Sequence, residues 1–438
     1  MLNSPPSQPP PSPLSPPSTT TKENRTTLYC LLTTSLLSLL LVLSVYTTST
    51  TTTSPPFSVP RHRQTNLIFN NPNHSSTTPP PPPSPPRLAY FISATNGETE
   101  TDRITRLLYA IYHPRNHYLL HLDLTAPQSQ RESLSIWVES HPIFGRQGPF
   151  NNVYVVGKAD FAYPNSPSSI SNTLHGAALF LKYAKWQWFV SLSASDYPLV
   201  TQDDLLHILS YLPNNFNFME HSSDIESRIS KRMKRISVDP GIYLSVKSEM
   251  FYATQQRDLP NAFRLFAGST SAILSREFLE FCITGSSNLP RTVLMYLSNM
   301  PSSQALYFPT VLCNARDFKK TIINYNPHFT LWDNDKSPIR KKIPLGVKDF
   351  GNMIQSGSAF ASGFPVDDPV LDDIDNKVLS RKSGNVVPGG WCLGESHVCS
   401  LWGDTKVLRP GPGAKRLERR LVELLSNGSL SSHQCVFQ

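Results

Sequence analysis

The 438-residue chain carries 40 prolines and a net charge of +8, with a pI near 9.1. Proline runs at 5–17 and 79–86, with a Ser/Thr-rich stretch around 49–54, hold too few apolar side chains to offset ordering entropy, which excludes the first 86 residues from a packed core. The basic groups are dispersed apart from Arg340-Lys341-Lys342, and no basic patch is interleaved with aromatics, which excludes the usual nucleic-acid footprint and leaves room for a polyanionic ligand such as a nucleotide diphosphate.

Residues 28–46 are uncharged over 19 positions, enough to span a hydrocarbon core. Lys22 and Arg25 precede them and the next charge is Arg61, a bias that predicts a cytosolic amino terminus. A cleaved signal peptide is the rival, but its apolar region would be shorter and would end in small residues. The expected organisation is a cytosolic tail (1–27), a transmembrane signal anchor (28–46), a luminal stalk (47–86) and a luminal domain (87–438). That domain is expected to divide into a nucleotide-binding half to about residue 215 and an acceptor-side half beyond it. Asn73 and Asn427 head glycosylation sequons on the luminal side; Asn24 heads one that would face the cytosol. Beyond the anchor stand Cys282, Cys313, Cys392, Cys399 and Cys435. The odd number allows at most two bridges and leaves one thiol, and the Cys392–Cys399 spacing does not match a zinc site.

From residue 88 the pattern alternates. LAYFIS (88–93), HYLLHLD (117–123), VYVV (153–156) and WQWFVSL (186–192) read as strands; 100–112 and 168–184 read as helices. The alternation predicts an α/β domain with a mostly parallel sheet flanked by helices, binding a nucleotide at the strand carboxyl ends. The residues there are Thr95, Asn96, Asp123, Lys158 and Asp196. Asp123 suits a uridine contact or a cap, and Lys158 reads as a surface charge. Thr201, followed by Asp203 and Asp204, marks a helix start. No GxGxxG, GKS/T or HExxH motif is present, which removes the common dinucleotide, P-loop and zincin chemistries. Further on, FNFMEH (216–221) reads as one strand ending in Glu220-His221, residues 261–281 as a Gly/Ser corner, strand and helix, and RPGPGAKRLERRLVELL (409–425) as a turn followed by an amphipathic helix.

SLSASDYPLVTQDDLL (191–206), FMEHSSDI (218–225), DPGIYLSVKS (239–248), NLPRTVLMY (288–296), DDPVLDDID (367–375), GGWC (389–392) and RPGPGAKRLE (409–418) together resemble the plant branch of the core-2/I-branching β-1,6-N-acetylglucosaminyltransferase family, nearest its Golgi β-glucuronosyltransferases of arabinogalactan. The resemblance implies a variant nucleotide-sugar transferase fold of the GT-A kind in a single-pass type II Golgi membrane protein. It implies inverting transfer from a UDP-sugar such as UDP-glucuronate to arabinogalactan or another β-galactan glycoprotein, with no bound metal. The strand-end residues Thr95, Asn96 and Asp123 are then the expected donor contacts, and for Asp196 the resemblance implies a structural or donor-side role. Glu220, Trp332 and Asp333 fall on the acceptor side, where the plainer roles are an ion pair with the following basic segment for Glu220 and core packing for Trp332. The family's base lies in a stretch written SSPEGYFHTV; here 302–311 read SSQALYFPTV, so Ala305 stands at the base and Pro309 at the His. The family's FARKF is FASGF (360–364), so Ser362 and Gly363 stand where Arg and the diphosphate-binding Lys belong. Alanine takes no proton and glycine neutralises no phosphate. The alternative function is therefore a catalytically impaired paralogue that binds glycan or partners an active homologous transferase.

Overall fold

In the computed structural model the described residues are 83–438, excepting 96, 98, 226–232, 244–249, 334–341, 394–398, 400, 427–429 and 436–438. Residues 1–82, with the tail, the 28–46 segment, most of the stalk and the Asn73 sequon, lie outside them, as do Asn96 and Asn427. Among the described residues no helix is long and apolar enough to cross a membrane.

The elements run β1 (Leu88–Ala94), α1 (Glu100–Ile111), β2 (His117–Leu122), α2 (Gln128–Ser140), β3 (Val153–Val155), α3 (Pro167–Tyr183), β4 (Trp188–Ser193), β5 (Asp196–Pro198), α4 (Gln202–Ser210), β6 (Asn217–Phe218) and β7 (His221–Ser222). There follow β8 (Arg235–Val238), β9 (Phe251–Gln256), β10 (Ala267–Gly268), β11 (Ile273–Ser275), α5 (Arg276–Ile283), α6 (Leu289–Leu297) and α7 (Tyr307–Asn314). The chain closes with β12 (Ile322–Ile323), β13 (His328–Phe329), β14 (Leu331–Trp332), β15 (Lys342–Ile343), α8 (Phe350–Gln355), β16 (Phe360–Ser362), α9 (Pro369–Lys377) and α10 (Pro412–Leu425).

Seven strands form the central sheet in the order β12-β6-β11-β4-β1-β2-β3. Every neighbouring pair is parallel except the two that β11 makes. β1 is buried on both faces, as strands of a parallel sheet covered on both sides are: Leu88, Tyr90 and Ile92 enter the core on one face, Ala89 and Phe91 the core on the other. Burying each large side chain contributes about 1.5–3 kcal/mol. On the first face α1 seats Ile104, Leu107, Leu108 and Ile111, the spacing read from the sequence. On the second, α3 approaches so closely that a Cβ on Gly176 would stand 2.5 Å from the Phe91 ring. The sheet takes strands from both sides of residue 215, so the two expected functional halves share one sheet.

The single strand expected over 216–221 is two. β6 ends at Phe218 inside the central sheet, and β7 pairs with β10 in a separate ribbon. The chain turns at Met219-Glu220, where Gly268 packs against the Glu220 carbonyl so tightly that no side chain fits.

A second small sheet, β13-β16-β5, stands just beyond the carboxyl end of β4. Its support comes from α4 and the carboxyl-terminal third of the chain. Thr201 and Asp204 form a reciprocal capping box at the start of α4. The buried Asp203 carboxylate accepts from the backbone N–H of Gly390 at 2.7 Å and Arg409 at 2.6 Å, and Asp204 from Gly411. Burial alone would raise the Asp203 pKa; the facing His113 and these two N–H groups outweigh it and hold the carboxyl below its usual range.

Candidate active site

Along the sheet, β2 lies on one side of β1 and β4 on the other, so the chain reverses its direction of winding between β1 and β4. A crevice opens at such a switch, outside the carboxyl ends of the strands. Thr95 is exposed at the end of β1. Asp123, at the end of β2, is 2% exposed. Its carboxylate accepts from the Thr125 N–H at 2.8 Å, the Thr125 hydroxyl at 2.6 Å and the Ala162 N–H at 2.6 Å. That geometry makes Asp123 a brace between two edge loops; the helix that follows is capped at Pro127 and not by Asp123.

Asp196, at the start of β5, is 5% exposed and accepts from the Ser193 N–H at 2.8 Å through Oδ2. The same oxygen lies 3.7 Å from Nε2 of His328. The Asp196 Oδ1 and both His328 ring nitrogens are buried without a hydrogen-bond partner among the described residues. Burial pushes the His328 pKa down to about 4; Asp196 opposes that fall and Lys342 adds to it, so the imidazole is neutral at physiological pH. Its ring stacks on Phe360, 5.0 Å between centroids.

Antiparallel register sets Ser362 opposite Asp196. The Lys342 ammonium donates to the Ser362 hydroxyl at 3.0 Å and lies 5.9 Å from the Trp332 ring centre, its partner in the β14–β15 hairpin. Trp332 is 45% exposed, a surface aromatic and not a core one; Asp333 follows it. Gly363 takes φ +107°, and its N–H and that of Phe364 both donate to the Ser195 carbonyl at 3.2 Å. Those two N–H groups are thereby engaged within the chain.

Glu220 is exposed at the end of β6, and Asn326 links it to the cluster: the Asn326 amide donates to Glu220 at 3.5 Å, while its oxygen accepts from the His328 N–H at 2.9 Å. A continuous path of contacts therefore joins Glu220, Asn326, His328, Asp196, Ser362, Lys342 and Trp332. Sequence reasoning missed His328 and Asn326; no local signal marks them, because the carboxylates they approach, Asp196 and Glu220, lie more than a hundred residues away.

Ala305 closes a one-turn 3₁₀ helix, Ser303–Ala305, half-buried. Pro309 sits in the first turn of α7, where the missing N–H costs nothing. Next to β5 a cavity of about 300 Å³ is bordered by Arg103, Arg106, Ser195, Tyr197, Phe364 and Arg381 among others. Its arginines are already engaged: Arg103 with Glu100 and the Phe364 carbonyl, Arg106 with Asp372 and Asp375, Arg381 with Asp375. Lys158 is an exposed charge.

Disulfides join Cys313 to Cys435 and Cys392 to Cys399, leaving Cys282 as a buried thiol, which meets the limit of two bridges and one spare. His221, Cys313 and Cys435 come within metal-ligand reach of one another, but the two sulfurs are spent on each other.

The Core-2/I-Branching enzyme family profile matches residues 88–354. The chain is 47% identical over 356 residues to beta-glucuronosyltransferase GlcAT14A of Arabidopsis thaliana, covering 80% of this chain and 78% of the relative. It is 46% identical over 354 residues to GlcAT14B of the same plant, covering 80% of each. Xylosyltransferase 1 of Rattus norvegicus is 26% identical over 251 residues, 57% of this chain and 28% of that one.

Proposed function

The chain belongs to the Core-2/I-branching enzyme family, and from that premise we propose that it transfers a β-glucuronosyl group from UDP-glucuronate to a galactan acceptor of arabinogalactan type. The observation that carries the reading is the likeness, over four fifths of the chain, to relatives named beta-glucuronosyltransferases. Two disulfides support an oxidising compartment, consistent with a catalytic domain in the Golgi lumen behind the 28–46 anchor.

The chemistry has two demands. A carboxylate must take the acceptor hydroxyl proton as that oxygen attacks the anomeric carbon, and cations must stabilise the departing diphosphate where no metal does so. With alanine at 305, Glu220 is the carboxylate we assign to the first task. It is exposed at the crevice edge, whereas Asp196 is buried and Asp123 is committed to its loops. Trp332 offers an apolar ring on which a sugar face can lie. Thr95, Asn96 and Asp196 remain the proposed donor-side residues, with Asp333 on the acceptor side.

The test is transfer from UDP-glucuronate to a β-galactan oligomer by the purified full-length protein. Turnover that Glu220→Gln abolishes supports the reading. A protein that binds donor but never turns over supports the non-catalytic alternative.

A further inference from the structure

We propose that Lys342, presented by Ser362 and Trp332, is the residue that binds an anionic oxygen of the donor in this chain. The inference rests on the donor reading above and deepens it. An ammonium has three protons to donate, and Lys342 directs one to the Ser362 hydroxyl at 3.0 Å. Among the described residues no carboxylate pairs with it, in contrast to the three arginines around the nearby cavity. Lys342 is exposed as a residue, yet its ammonium is held in place by the β14–β15 register and by Ser362, which β16 fixes opposite Asp196. Ser362, Asp196 and His328 share one face of the small sheet: the first two are registered opposite each other, and His328 faces Phe360, two residues from Ser362.

A second observation points to a ligand at this face. The Asp196 Oδ1 and both His328 ring nitrogens are buried and lack partners, and a neutral imidazole beside a carboxylate suits the hydroxyls of a bound sugar or ribose. A cation beside hydroxyl-seeking groups and an exposed indole fits a nucleotide sugar carrying an anion. That anion is either the diphosphate or the uronate carboxylate.

Calorimetric titration of the full-length protein with UDP, UDP-glucuronate and UDP-glucose separates these sources. Loss of a hydrogen bond to a charged group should weaken binding roughly ten- to a hundred-fold. If Lys342→Met weakens UDP-glucuronate alone, the ammonium reads the uronate carboxylate. If it weakens all three, the ammonium holds the diphosphate. Lys342→Arg should retain most of the affinity in either case, and the exposed position keeps the melting temperature unchanged. Wild-type-like affinity of Lys342→Met for all three ligands overturns the assignment and leaves the donor reading standing. A wild-type protein that binds none of them overturns both.

Discussion

Gly363 and Ala305 carry different physical constraints. At φ +107° Gly363 occupies backbone space that L side chains rarely adopt. Gly363→Ala should destabilise the protein by about 1–3 kcal/mol, read as a lower urea midpoint, although no neighbour crowds the position. Restoring a lysine at 363 carries the same strain, which favours supplying the cation from another strand. Ala305 is half-buried in a short turn with negative φ, so a glutamate there meets no comparable backbone penalty. With Glu220 as the base, Ala305→Glu should change kcat by no more than a few-fold, while Glu220→Gln should lower it by about 10²–10⁴. A large gain in the first variant moves the base back to 305.

At the scale of elements, the capping box of α4 does double duty, because the two acidic residues after Thr201 also hold the segments carrying Gly390, Arg409 and Gly411. Asp203→Ala leaves the buried Gly390 N–H unpaired, costing about 1–3 kcal/mol, and releases the more exposed Arg409 N–H. Limited proteolysis should then cut near 389–411 well before the rest of the domain. Much of this level was legible from the chain. Buried parallel strands such as β1 and β4 announce themselves as apolar runs, α1 by its periodicity and α4 by its cap. The β13-β16-β5 sheet was not, since its strands are two or three residues long and none pairs with its neighbour in sequence; β16 reaches back across more than a hundred residues to β5. Register alone brings Ser362 to Asp196, and a basic run that carries no secondary-structure pattern delivers Lys342 to the same place. Glu220 was legible as a strand-end carboxylate, but the break that exposes it depends on the close approach of Gly268, which sequence pattern cannot convey.

For the whole molecule, buried neutral histidines set the acid limit. Burial lowers both His121 and His328 to about 4, against about 6.5 in the unfolded chain. Between those values the unfolded state binds more protons, so stability is full above pH 6.5 and falls as the pH drops toward 4, by about 1.4 kcal/mol per pH unit for each group. Urea midpoints at pH 7 and pH 5 measure it, and a midpoint that does not fall contradicts the burial argument. The Cys313–Cys435 bridge gives the molecule a further property. It closes 122 residues of chain that include β12 through α10, and with them His328, Trp332, Lys342 and Ser362. Tension applied at the carboxyl terminus therefore passes from Cys435 straight to Cys313 and α7, and this entire segment stays slack. In an optical trap, the oxidised protein should unravel short of its full contour by roughly 400 Å, at 3.3–3.6 Å per extended residue, and adding a reductant should release that length as a separate step.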